Sequence, residues 1–251
     1  MKVLFSGQIP KDVNYPEAME DAVKIATDAH RIAVSDGASE SFDSKIWAQL
    51  LVDLFSQSSR FDGEGLLTAV QLYDKQFNPS ELSWSKQAAF ERGSFATLLG
   101  VEINPAGSQV SILSVGDSLA ILLSGDDSVQ SFPYMDSQQF QQRPELLCTK
   151  SAHNSFVESS DFDSSHSMIW DLQALTAPVL LCMTDALGEW ALKMKEDGLP
   201  QWTTLLSLEK IEDLERLVLT EREARRMRID DVTLVSIALD GDYNIYELPH
   251  A

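Results

Sequence analysis

The apolar positions of this chain change period several times, and each change marks an element. Residues 2–6 and 22–26 predict short strands, separated by a loop through Pro10 and Pro16. A turn at 28–31 leads into a third strand at 32–35. From 44 to 56 the period becomes helical, with Ile46, Trp47, Leu50, Leu51, Leu54 and Phe55 forming one wide apolar face. A second helix is expected over 65–77, carried by Leu66, Val70, Tyr73 and Phe77, and 83–91 extends the pair. Past Arg92 and Gly93 the pattern is strand-like. It predicts a meander of 94–103, 109–115, 119–123 and 128–132, with turns at 104–107, 116–118 and 125–127.

Periodicity dissolves between Pro133 and Pro178. Residues 151–167, rich in Ser, Asp, His and Asn, read as a mobile loop. His153 and His166 lie in it and are expected to be solvated. Order returns at 177–184, a nearly continuous apolar run suited to a central strand, followed by a helix over 187–194. An amphipathic stretch over 205–227 and a strand over 232–239 complete the pattern.

Charge changes the picture at the strand ends. A carboxylate stands beside a buried strand at Glu20 and Asp21, at Asp36, at Asp117, at Asp185, and at Asp230 and Asp231. Acids gathered without basic partners repel one another in a low-dielectric cleft unless cations neutralise them. An all-oxygen set without His or Cys selects hard ions, Mg²⁺ or Mn²⁺, over Zn²⁺. Gly37, directly after Asp36, lets the backbone turn sharply enough for its carbonyl to face the same point. The competing interpretation is a set of turn acids in an acidic protein. No EF-hand spacing supports a calcium loop.

Composition narrows the function class. At 251 residues and 44% hydrophobic, the chain can bury one large core, and a single domain over 1–251 is the default expectation. A formal net charge of −20 disfavours nucleic acid and anionic membranes as partners. The basic cluster Arg222, Arg225, Arg226 and Arg228 reads as a solvated helix face paired to Glu221 and Glu223. Cys148 and Cys182 form no CxxC pair, the N-terminus turns polar within a few residues, and no apolar run reaches bilayer length. Those features suggest a cytoplasmic protein.

The segments Met19-Glu20-Asp21-Ala22, Val34-Ser35-Asp36-Gly37, Gly93-Ser94-Phe95-Ala96-Thr97, Val115-Gly116-Asp117-Ser118, Leu181-Cys182-Met183-Thr184-Asp185 and Asp230-Asp231-Val232-Thr233-Leu234-Val235 resemble, in order and spacing, the motif series of the PPM/PP2C metal-dependent serine/threonine protein phosphatases. The resemblance covers nearly the whole chain. It implies an α+β fold, a four-layer α/β/β/α sandwich of two antiparallel sheets flanked by helix pairs. It further implies two or three Mn²⁺ or Mg²⁺ ions, phosphorylated protein substrates and a cognate serine/threonine kinase. Asp36 would bridge two metals and the Gly37 carbonyl would ligate one. Glu20 would serve the second metal, with Asp21 acting through water, while Asp185 and Asp230 would complete the first. Asp117 and Asp185 would match a third, looser site. Hydrolysis would then use a metal-activated water, with Asp36, Asp185 and Asp230 at the catalytic centre. Many members carry an Arg before the acidic pair to grip phosphate; the only base here between Ile9 and Met19 is Lys11. Ala38 stands where eukaryotic members have a His, and Asp185 is followed by Ala186 in place of Gly. These departures are closer to divergent prokaryotic members, and they leave a catalytically weak binding or regulatory module as the alternative.

Overall fold

A computed structural model describes residues 1–58, 61–104, 106, 108–125 and 128–239. Two five-stranded antiparallel sheets form its centre. The first runs β1 (Lys2–Ile9), β12 (Val232–Ala238), β11 (Val179–Met183), β7 (Leu119–Leu123), β8 (Val129–Phe132). The second runs β10 (Ser167–Asp171), β6 (Gln109–Val115), β5 (Leu98–Ile103), β3 (Arg31–Ser35), β2 (Ala22–Ala26). A short ribbon pairs β4 (Phe95–Ala96) with β9 (Leu147–Cys148).

Period-two alternation explains the layering. Along β7, Leu119, Ile121 and Leu123 pack toward the helices α5 (Asp185–Glu196), α6 (Gln201–Leu206) and α7 (Ile211–Glu223). The intervening Ala120 and Leu122 pack against the opposite sheet. The same split holds on β11, with Val179, Leu181 and Met183 on one face and Leu180 and Cys182 on the other. Strands buried on both faces must be apolar at every position, and that is why these runs are continuous. On the far side, Ala33 of β3 and Leu98 of β5 meet α1 (Ser44–Gln57) and α2 (Gly63–Asp74) through Trp47, Leu51, Phe55 and Tyr73. Helix, sheet, sheet and helix are layered as the motif series implied, and they enclose three apolar clusters where composition suggested one large core.

Close approach fixes one position between α1 and the second sheet. A Cβ on Gly100 of β5 would lie 2.3 Å from Phe55 Cε2, inside van der Waals contact. Since Phe55 is itself buried, Gly100→Ala must displace a packed ring or the strand. We expect a loss of about 1–3 kcal/mol, measured as a lower urea midpoint at unchanged slope.

Several boundaries differ from the sequence pattern. The edge strand β10 falls in the stretch where periodicity failed, because Met168 and Ile169 are exposed and only Trp170 is buried. Residues 151–167, expected as a loop, carry short helical turns at Ser151–His153, Ser155–Glu158 and α4 (Phe162–His166), anchored by buried Val157 and Phe162. His153 is exposed, whereas His166 is half-buried, placed between the Phe162 carbonyl and Glu145, 3.2 Å away. The amphipathic stretch divides into α6 and α7. Of the expected turns, Pro105, Gly107, Asp126 and Asp127 lie outside the described residues, as does 240–251 of the expected domain. Both cysteines are buried and free, and burial pushes the Cys182 thiol up to about 12. No helix among the described residues is long and apolar enough to cross a membrane.

Candidate metal centre

The acids converge where the strand ends of the two sheets meet. Asp36 leaves the end of β3, Asp117 lies in the turn between β6 and β7, and Asp185 opens α5 just past β11. One carboxylate oxygen from each of these three lies within 4.8 Å of the others. Asp36, Gly37, Asp117, Asp185 and Asp230 line one cleft of about 320 Å³, together with Ala38, Ser39 and Thr97.

Backbone hydrogen bonds hold this convergence before any side chain acts. The Asp36 N–H donates to Thr97 Oγ1 at 2.8 Å, and the Thr97 N–H donates to the Asp36 carbonyl at 2.9 Å. Thr97 and Ser118 hydroxyls share a further bond of 2.8 Å, which ties the β3 end to the turn carrying Asp117. Within that turn Gly116 has φ +105°, and a Cβ there would lie 2.6 Å from the Thr97 methyl. Gly37 is equally constrained: a Cβ would lie 2.9 Å from both the Glu20 carbonyl and Ser44. Glycine is required at 37 by this close approach, independently of any metal.

Glu20 and Asp21 separate in role. Glu20 accepts from Lys11 Nζ at 2.6 Å, from Ser44 at 2.7 Å and from Ser39. Burial works to raise its carboxyl, but these bonds outweigh it and hold it below the ordinary range. Asp21 is buried between the sheets. Its Oδ2 accepts from Thr233 at 2.7 Å and Thr184 at 3.0 Å, while Oδ1 has no partner. Asp231, adjacent to Asp230, accepts the Lys11 and Glu20 backbone N–H groups at 2.6 and 2.7 Å, fastening the start of β12 to the loop after β1.

Crowding governs the ionisation. Burial, followed by the charges of Asp21, Asp185, Asp230 and Asp117, pushes the Asp36 carboxyl well above the carboxylate range. Burial likewise raises Asp21 and Asp117. Asp185 is raised to about 7 by burial, with Arg228 opposing and Asp117 and Asp230 adding to the shift. Neighbouring buried acids with unpartnered oxygens, Asp21 Oδ1 and Asp185 Oδ1, form a set of hard donors suited to a divalent cation.

Two expectations are corrected by the basic residues. The acids do not stand without basic partners: the Arg228 guanidinium contacts the Asp185 carboxylate, and Lys11 is ion-paired to Glu20. Nor is the arginine cluster a uniform solvated face. Arg225 and Arg226 are exposed as expected, Arg226 paired to Glu221 at 2.7 Å. Arg222 turns inward, donating to the Pro10 carbonyl at 3.1 Å and to that of Asp230. Arg222 lies inside α7 and departs only in where its side chain reaches; Arg228 departs because the sequence pattern ran the amphipathic stretch to Met227, whereas α7 ends at Glu223 and Arg225 takes a left-handed φ of 57°. Lys11, expected at substrate phosphate, is engaged by Glu20 and by Ser39 at 2.8 Å.

No family model and no curated protein matches the sequence. Solved structures do resemble it. The serine/threonine phosphatase Stp1 from Staphylococcus aureus is similar with a TM-score of 0.57 at 15% identity, covering 96% of this chain and 98% of its own. The Mycobacterium tuberculosis serine/threonine phosphatase PstP/Ppp is similar with a TM-score of 0.53 at 16% identity, covering 95% and 99%. A PstP catalytic domain in complex with two manganese ions is similar with a TM-score of 0.50 at 18% identity, covering 96% and 100%. The chain thus has the fold of bacterial serine/threonine phosphatases, in agreement with the architecture that the motif series implied.

Proposed function

We propose that the chain is a metal-dependent protein serine/threonine phosphatase whose centre is built on Asp36, Asp185 and Asp230, with Glu20 and the Gly37 carbonyl completing the donors for a second Mn²⁺ or Mg²⁺. The observation that carries this reading is the convergence of Asp36, Asp117 and Asp185 within 4.8 Å from three separate strand ends. A like-charge cluster of that density is costly to bury, and it is stable with divalent ions among its oxygens. When bound, such a pair of ions supplies an acidified water and offsets charge on the phosphoryl oxygens.

The residues themselves do the positioning. Thr97 holds the Asp36 backbone through both its amide and its hydroxyl. Asp231 ties the Glu20 segment to the strand start that bears Asp230. Thr184 and Thr233 hold Asp21 on Oδ2 and leave Oδ1 without a hydrogen-bond partner. Asp21 would act on bound ions through water, and Lys11 would reach substrate phosphate only by leaving Glu20. Substrates on this reading are phosphoserine and phosphothreonine proteins, with a serine/threonine kinase as the opposing enzyme. The relatives' fold supports the class.

One observation favours a second reading. Lys11 and Arg228 already neutralise Glu20 and Asp185, an arrangement that suits a binding or regulatory module working without ions. One assay separates the two. Hydrolysis of p-nitrophenyl phosphate and of a phosphothreonine peptide should appear with Mn²⁺ and vanish with chelator. Absence of metal-dependent turnover on both substrates selects the binding module.

A further inference from the structure

Asp185 and Glu189 stand one helical turn apart on α5, so their carboxylates share a face. Unrelieved, that pair would repel, and Asp117 lies near enough to add to the repulsion. A single guanidinium relieves it. Arg228 contacts Asp185 Oδ2, and its Nε lies 3.8 Å from Glu189 Oε2.

Its position follows from the end of α7. After Glu223 the chain reverses through the left-handed Arg225, and the Arg226 and Met227 N–H groups both return to the Glu221 carbonyl, at 2.9 and 3.2 Å. Met227 is buried in the helix-side core, which leaves Arg228 over α5. The side chain is thus delivered by a capped helix end and a buried anchor, and its own Nε finds no hydrogen-bond partner. Asp185 is 7% exposed, and its Oδ1 is left without a partner while Oδ2 meets Arg228.

We propose that Arg228 is a resident cation that takes the place of a divalent ion between Asp185, Glu189 and Asp117, and so limits the centre to two ions. The inference rests on the two-ion centre proposed above but concerns this chain's own arginine. A guanidinium and a divalent ion cannot occupy the same side of Asp185, because both are cations and both need Oδ2. With the arginine in place the outer side of Asp185 is neutralised and closed. With it gone, Asp185 and Asp117, which have oxygens within 4.8 Å of each other, and Glu189, one turn along α5, lose their shared cation and leave hard donors on that side for an ion.

The test is the number of Mn²⁺ ions bound per chain, read by calorimetric titration and by metal analysis after gel filtration. The wild-type protein should bind two, Arg228→Gln three, Arg228→Lys two, and the double variant Arg228→Gln with Glu189→Gln two. A third ion on the wild-type chain overturns the proposal, as does a count for Arg228→Gln that stays at two. Should Arg228→Gln fail to fold, Arg228→Met removes the same charge with the stem kept, and it should bind three; a count of two on it overturns the proposal. No Mn²⁺ on the wild-type chain removes both the centre and this inference. Counts of two, three, two and two without phosphoester turnover leave the inference standing and dismiss only the phosphatase reading.

Discussion

Replacing Asp36 by asparagine should abolish metal-dependent phosphoester hydrolysis while leaving the metal-free protein as stable as wild type or more so. Both halves come from the same geometry. The Asp36 backbone is held by Thr97 through bonds that do not involve its carboxylate, so the substitution leaves the β3 end in place. Its carboxylate is crowded by Asp21, Asp185, Asp230 and Asp117, so an uncharged amide relieves repulsion in the absence of ions. The same amide removes the anionic ligand that two ions would share. We expect turnover of p-nitrophenyl phosphate with saturating Mn²⁺ to fall by at least about 100-fold, the scale on which removal of one charge-stabilising group acts. Thermal unfolding in chelator near neutral pH should move upward or stay level. A variant that keeps its turnover takes Asp36 out of the chemistry; one that loses both turnover and metal-free stability makes Asp36 a structural residue.

Much of this centre was legible because the sequence states which strands are buried on both faces. Val179 to Met183 is apolar at every position and Val232 to Ala238 at all but Thr233 and Ser236, so an acid directly beyond either run is placed at a sheet margin. Pairing of Ala22 with Ser35 in register then brings Asp21 and Asp36 together, as the short turn between their strands required. What could not be read was the path of the chain after α7. A helical repeat continued through Met227 on paper, because nothing in the residue types signals that the non-glycine Arg225 takes a left-handed conformation. Ending the helix four residues early puts the half-buried Arg228 over Asp185 and Glu189 instead of along a helix face. A partial signal did exist: Asp185 and Glu189 put like charges one turn apart on one face, with Lys193 a turn beyond Glu189 but two turns from Asp185. Thr97, Thr184 and Thr233 were hidden for a different reason. A hydroxyl at a strand end, as at 97 and 184, or inside a strand, as at 233, is ordinary in sequence, and only the fold reveals that these hydroxyls contact Asp36 and Asp21. Strand β10 was missed because an edge strand with exposed Ile169 carries no clean alternation inward.

The metal-free protein should lose thermal stability as pH rises from about 5 to about 8, and Mn²⁺ should restore it at the upper end. A carboxyl raised on folding keeps its proton more tightly in the native state than in the unfolded chain. Below the ordinary carboxylate range both states are protonated and the native cluster carries no strain from repulsion. As pH climbs, the unfolded chain releases its protons freely, whereas native Asp36, Asp21 and Asp117 ionise against burial and one another. Stability therefore falls through a window that begins near the ordinary value of 3.8 and extends through about 7 for Asp185. Glu20 contributes with the opposite sign, since its Lys11 and serine partners lower it, but that contribution is lost below the window, as pH falls through its lowered value. Divalent ions bind the ionised cluster and not the protonated one, so their effect must grow with pH. At 100 times the dissociation constant a ligand adds about 2.7 kcal/mol, and at roughly 2–4 °C per kcal/mol for a chain of this size the melting temperature at about pH 8 should rise by about 5–11 °C. At about pH 5 the shift should be a small fraction of that, because protons already occupy the oxygens. Calorimetry at both pH values, with chelator or with Mn²⁺, measures all four states. Equal melting temperatures across the series would mean that these acids do not titrate as a buried cluster, and the centre would have to be sought elsewhere.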